Sequence, residues 1–208
     1  MVNDWQLLLD RWQVILNGAG PYLDYFWGID SSDRRERNPP RIVRRKGASD
    51  SDIKALEQRL GLPLPPSYRT FLQVTDGCEA LGFPVETLFK CSRVDWFRVL
   101  NPDWLAEDLT AGVEAYPPIP DEMYFVYGNR QNVEDIRIEY EAAALQVSDI
   151  SVPFGHEVYL LNPMVVTPDG EWEAWERSVQ ALGAFRYRSF YEMMEARIET
   201  FDYGMKNY

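Results

Sequence analysis

The chain is poor in the residues that carry most enzyme chemistry. It has one histidine, His156, and two cysteines, Cys78 and Cys91. A single histidine excludes any mechanism that needs two. Zinc sites of the usual kinds take three or four Cys or His ligands, or carboxylates arranged with them, and here the three residues are scattered with no short ligand spacing. Two cysteines are too few for a disulfide scaffold and fit a reducing cytoplasm. No run of about 18 apolar residues occurs, so no segment reads as a membrane-spanning helix. Asp4, Asp10 and Arg11 interrupt any secretory core near the start. A Gly-rich phosphate loop, a dinucleotide fingerprint, a nucleophile elbow, a Cys-x-x-Cys pair and a calcium loop are all missing. The expectations are therefore no cofactor, no metal, no membrane partner and a cytoplasmic location.

Basic residues are also scarce. Lys and Arg number 21 against 33 Asp and Glu, a net charge of −12. Seven of those cations lie between Arg34 and Lys46 with only Glu36 opposing them, so this run carries +6 and the rest of the chain −18. Phosphate backbones are repelled by such a surface, which excludes a general nucleic-acid binder. The same field accelerates association with a basic protein and makes the rate salt-sensitive. Acidity of this size also serves solubility alone. The Arg34–Lys46 run could serve as a nucleic-acid arm, but it reads first as a solvated linker or as a strap laid on the acidic body.

What is present fits one ordinary domain, or one domain plus a short extension. The chain has 208 residues, 46% hydrophobic and 26% charged, enough to bury roughly 70% of its unfolded surface. Trp5, Leu8, Leu9, Trp12, Ile15 and Leu16 form a helical stripe. Asn3 or Asp4 can cap it, and Gly18 with Gly20-Pro21 stops it. Residues 22–48 read as an irregular connection, so 1–48 is taken as a helix and connection packed on a domain over 49–208. Ser49 and Asp52 form a capping box, Ile53, Leu56 and Leu60 make one face, and Gly61 terminates the helix. Pro63, Pro65 and Pro66 make an elbow into a second helix, which carries Tyr68, Phe71 and Leu72 and ends at Asp76-Gly77.

Beyond Gly77, short strands are expected at 87–91, 124–127, 157–161, 164–166, 171–175 and 184–187, and 144–150 is ambiguous. Asp169-Gly170 between apolar runs signals a hairpin. Asn101-Pro102 opens a helix through Trp104, Leu105 and Leu109, and Ser189 with Glu192 caps a terminal helix. Helices, a block of strands and a closing helix make an α+β order: one twisted, mostly antiparallel sheet packed with helices.

Carboxylates are the remaining catalytic option. Glu171, Glu173 and Glu176 surround Trp172 and Trp175, and a carboxylate pair beside aromatics is what a glycosidase cleft uses. In a strand, Glu171, Glu173 and Trp175 share one face, as in any half-exposed sheet. His156, following Phe154-Gly155, reads as structural.

The run from Ser49 to Gly77 resembles the opening of the SUKH superfamily, in the branch named for the fungal Smi/Knr cell-wall-synthesis regulator. The shared pattern falls at Leu56-Glu57, Leu60-Gly61, Leu64-Pro65, Tyr68, Phe71-Leu72 and Asp76-Gly77. Val94 to Phe97, Tyr159 to Pro163, Asp169 to Trp175 and Arg186 to Phe190 are similar to bacterial members. The resemblance implies a SUKH-like α+β binding domain without catalytic residues. It implies an immunity protein that binds and occludes a cognate toxin, often a nuclease. The alternative it allows is an interaction scaffold in a cell-wall or signalling pathway; a carboxylate hydrolase is the third reading. For partner binding the exposed acidic candidates are Asp76 and Glu79 after the second helix, and Asp103, Glu107 and Asp108 around Trp104. On a helix Asp103 and Glu107 lie one turn apart on one face.

Overall fold

The computed structural model describes residues 4–20, 22, 41–81, 87–106, 119–150, 157–178 and 183–207. Helix α1 (Trp5–Gly18) begins at Asp4, whose side chain accepts from the Leu7 amide at 2.9 Å. Ser49 and Asp52 exchange both capping-box bonds at the start of α2 (Asp50–Leu60), and Gly61 ends it at φ +75°. The proline elbow is braced by Glu57: its Oε1 accepts from the Leu64 amide at 3.0 Å and pairs with Arg69 at 2.6 Å. Helix α3 (Pro66–Val74) then runs to the Asp76-Gly77 turn. Gly77 sits at φ +72°, and a Cβ there would lie 2.5 Å from the Leu88 carbonyl oxygen. Only glycine fits both the dihedral and the close approach.

Strands β1 (Arg41–Arg44) and β2 (Cys78–Leu81) form an antiparallel pair. Strands β3 (Asp95–Trp96), β4 (Leu145–Gln146), β5 (Glu157–Val166), β6 (Trp172–Ser178) and β7 (Gly183–Tyr187) form a five-stranded sheet in chain order, with every pairing antiparallel. Leu88 joins the two sheets by bridging Cys78 and Ser148. Short elements lie between β3 and β4, among them helices α4 (Phe97–Leu100) and α5 (Asp121–Tyr124) and 3₁₀ turns at Gly128–Arg130 and Ile138–Ala143. Helix α6 (Phe190–Lys206) closes the chain.

Alternation along the central strands sends side chains into two cores. Tyr159, Leu161, Trp172 and Ala174 face the helices, where Trp5, Phe71 and Phe190 pack with ring centroids 5.1–5.3 Å apart. Val158, Leu160, Trp175 and Ala184 face the opposite way, against Phe97, Ile136 and Ala144. Each such side chain fully buried contributes about 1.5–3 kcal/mol. The five-stranded sheet is thus covered on both faces. The half-exposed sheet inferred from the Glu171–Trp175 alternation is corrected: Glu173 and Trp175 are at most 1% exposed and Glu171 is 8% exposed.

The α+β, antiparallel expectation holds. Three local readings do not. Residues 124–127 are not a strand, because α5 ends at Tyr124 and both tyrosines turn their hydroxyls onto Glu173. Of 87–91 only Leu88 bridges. The irregular 22–48 connection contains β1, which the sheet recruits by pairing with β2. His156 lies outside the described residues. Strands β1 and β7 each give outward amides to other groups of the fold. Ile42 of β1 donates its amide to Gln13 of α1 at 3.0 Å. On β7, the Ala184 and Arg186 amides go to the Val133 carbonyl and the Gln131 side chain at 2.9 and 2.7 Å.

Candidate functional site

The carboxylates of the β5–β6 hairpin are the first group to place. Glu171 accepts from the amide and the hydroxyl of Ser67 at 2.8 and 2.6 Å. Pro65, at the N-cap of α3, has no side chain to offer, so a residue 104 positions away caps this helix. Burial pushes the Glu171 carboxyl up, against the pull of the two Ser67 bonds.

Glu173 accepts from Tyr124 Oη (2.6 Å), Tyr127 Oη (2.8 Å), Asn162 Nδ2 (3.0 Å) and Trp175 Nε1 (2.6 Å). Arg186 Nη1 lies 3.8 Å away, and both partners are wholly buried. Burial and the Glu173 charge hold both phenols far above their ordinary range, so they remain donors. Arg186 stacks on Tyr124 with its guanidinium carbon 4.4 Å from the ring centre. Arg137 lies the same 4.4 Å from that ring, and Arg188 lies 4.9 Å from Tyr127. Arg137, Tyr124, Arg186, Tyr127 and Arg188 therefore form one alternating cation–aromatic series over Glu173.

Glu176 points to the helix side, where Arg197 of α6 reaches it at 2.5 Å and reaches Glu157 at 3.5 Å. Burial pushes the Glu176 carboxyl up to about 7; Arg197 opposes this and Glu157 adds to it. Glu141 pairs with Arg177, both essentially unexposed. A carboxylate acting on a substrate must reach the proton it transfers. Glu171, Glu173 and Glu176 are instead engaged by donors of the fold itself.

The sequence-derived binding residues fall into two places. Asp76 accepts from the Cys91 amide at 2.7 Å and so fixes the turn after α3. Burial and Asp76 push the Cys91 thiol up to about 12. Glu79 pairs with Arg45 at 2.6 Å. Arg44 likewise pairs with Asp10 of α1 at 2.8 Å and holds that carboxyl below its ordinary value. The described end of the basic run is thus a strap on acidic groups.

Asp103 is exposed and Trp104 is half-buried, on a helical turn over 102–106. Trp104 meets Phe97 edge-on at 5.1 Å and packs into the core opposite the one that takes Cys78 and Cys91. Asp76 and Glu79 are therefore not brought together with Asp103 and Trp104. Glu107 and Asp108 lie outside the described residues. Beside the turn, a cleft of about 280 Å³ is lined by Phe89, Arg93, Leu100, Asn101, Gln146 and Asp149. Its polar groups are already matched, Arg93 to Asp149 and Asn101 to Gln146.

Sequence reasoning missed the outer surface of residues 119–143, the cover over the second sheet face. Met123 and Phe125 are 45% and 46% exposed there. The available signal was Pro120-Asp121-Glu122, a proline and two acids opening a helical turn. Among the described residues no cluster of His, Cys, Asp and Glu could hold a metal ion, and no helix is long and apolar enough to cross a membrane.

The model of the SMI1 / KNR4 family (SUKH-1) matches residues 47–196, from just before α2 into α6. No curated protein matches the chain.

Proposed function

The chain belongs to the SMI1 / KNR4 family (SUKH-1), and we propose that it is a non-enzymatic binding domain that neutralises a basic toxin, of nuclease type, by covering its active surface. The observation that carries this reading is the placement of charge. Arg177, Arg186 and Arg197 are paired with Glu141, Glu173, Glu157 and Glu176 of the fold itself. Of the described cations of the basic run, Arg44 and Arg45 are held by Asp10 and Glu79. The acidic excess of the chain is left to the surface, where it complements a cleft built to hold nucleic acid.

The structural employment of Glu171, Glu173 and Glu176 supports binding over hydrolysis. The test is titration of this protein into a purified candidate toxin nuclease from the same organism, read by cleavage of a labelled duplex. Nuclease activity should fall linearly to zero at stoichiometric protein, with association slowing as salt rises. Full activity with this protein in excess overturns the reading.

A further inference from the structure

We propose that the partner docks on the outer surface of residues 119–143, with Met123 and Phe125 as its apolar anchors and a basic protein segment as its occupant. This rests on the protein-binding reading and names the interface for it.

Residues 119–143 carry six acidic side chains against two basic ones; Glu141 is buried on Arg177 and Asp135 is buried, so outside the Arg137–Asp121 pair the exposed charges are Glu122, Glu134 and Glu139 against Arg130, a formal −2. One of the two cations, Arg137, is spent within the cover, on Asp121 at 2.5 Å and on the Ile119 carbonyl at 2.8 Å. Glu122, Glu134 and Glu139 are exposed. Within this acidic surface Met123 and Phe125 stand nearly half exposed. Interface cores favour aromatic and methionine side chains within a polar rim.

Phe125 is also held in place. Phe125 meets the Tyr124 ring edge-on at 5.2 Å, and Arg137 lies 5.7 Å from the Phe125 ring centre. Tyr124 is in turn fixed by its bond to Glu173 and by the Arg186 stack. A side chain ordered before binding loses less entropy when it docks. Leu7 and Val14 lack this combination. They flank Asp10 and Arg11 on α1, whose charges pair with Arg44 and Glu199. Charge complementarity therefore points to the cover, and to a partner rich in Lys and Arg with an apolar socket.

The probe is a displayed library of random 12-residue peptides, selected on the immobilised full chain at low salt. Enriched peptides should combine Lys or Arg with Leu or an aromatic residue. They should lose about tenfold in affinity for the Met123→Ser/Phe125→Ser variant and none for Met164→Ser, another exposed apolar side chain. Glu122→Lys, a fully solvent-facing change, should weaken the same peptides several-fold at low salt and leave them unchanged at high salt. Equal binding by the wild type and both 119–143 variants overturns the proposal, as does a selection that enriches no basic peptide. No toxin is used, so a failed neutralisation assay leaves this result standing. Conversely, a protein that neutralises its toxin with Met123 and Phe125 both replaced keeps the function and loses this interface.

Discussion

Replacing Glu173 by glutamine should remove about 4 kcal/mol of stability. The side chain is nearly isosteric, and its amide can be placed so that few hydrogen bonds are lost. Oε2 serves Tyr124, Asn162 and Trp175, while Oε1 serves Tyr127 alone. A glutamine with its nitrogen in the Oε1 position keeps the three-donor oxygen, and the Tyr127 hydroxyl turns to accept. What disappears is the charge opposite Arg186, 3.8 Å away and wholly buried. At an effective dielectric of about 20 that attraction is worth about 4 kcal/mol, within the range of about 3–5 kcal/mol for orphaning one member of a buried pair. Arg186 has little else to lean on: it donates to the Tyr124 and Val126 carbonyls, and its Nε has no partner among the described residues.

Urea unfolding followed by tryptophan fluorescence measures the loss, seen as a lower midpoint at unchanged slope. The thermal midpoint should drop by about 10 °C. Adding Arg186→Met to the glutamine variant should restore part of the loss, because the unpaired buried cation is gone. A loss under about 1 kcal/mol for Glu173→Gln, or strictly additive losses in the double variant, would refute the reasoning. The outcome also separates two roles for this carboxylate. A catalytic glutamate changed to glutamine ends turnover with stability intact, whereas a structural one lowers stability and has no turnover to end.

Glu171→Ala should cost about 2–3 kcal/mol, since the Ser67 amide and hydroxyl both lose their carboxylate acceptor at the start of α3; calorimetry gives the value. Gly77→Ala should cost about 3 kcal/mol or more, because the added methyl meets backbone, while Gly61→Ala, at a similar φ with nothing within 4 Å of its Cβ, should cost only about 1–2 kcal/mol. Glu176 should give the wild type a stability term that is full below pH 4.5 and lost as pH rises through about 7, since its folded-state carboxyl lies above the ordinary value; the difference in unfolding free energy between wild type and Glu176→Gln, followed from pH 4 to 8, should show that slope. Glu79→Ala should change stability by less than about 1 kcal/mol, its pair with Arg45 being exposed.

Local signals made the α2–α3 half readable. The Ser49–Asp52 capping box, the Gly61 stop, the proline elbow and the Asp169-Gly170 turn act over a few residues, and each is found where the sequence places it. The second face of the sheet was not readable for the opposite reason. Its cover is made of α4, α5 and two 3₁₀ turns, none longer than six residues, too short for any apolar period to declare itself. Aromatic residues 124–127 carry strand propensity, and that preference loses to the two bonds their hydroxyls make with Glu173. The partners of Glu173 on that segment are 46 and 49 residues away, and Ser67 is 104 from Glu171. Spacing along the chain cannot reveal such pairings, so buried acids were counted with the exposed ones. Glu79 misled in the same way, its countercharge being Arg45 across the β1–β2 pair.

The residues that mark the family are the ones the fold consumes. Glu57 braces the elbow, Ser67 joins α1, α3 and the β6 hairpin through Trp5 and Glu171, Tyr68 is wholly buried, and Asp76 with Gly77 locks the turn onto Cys91 and Leu88. None of them presents a free group to a partner. That leaves the outer surface of residues 119–143, which cover the second sheet face and carry exposed Glu122, Glu134 and Glu139 with half-exposed Met123 and Phe125, as the surface proposed for a partner. It is tied down by buried Glu173 and Arg186, so its outer residues can change without disturbing either core.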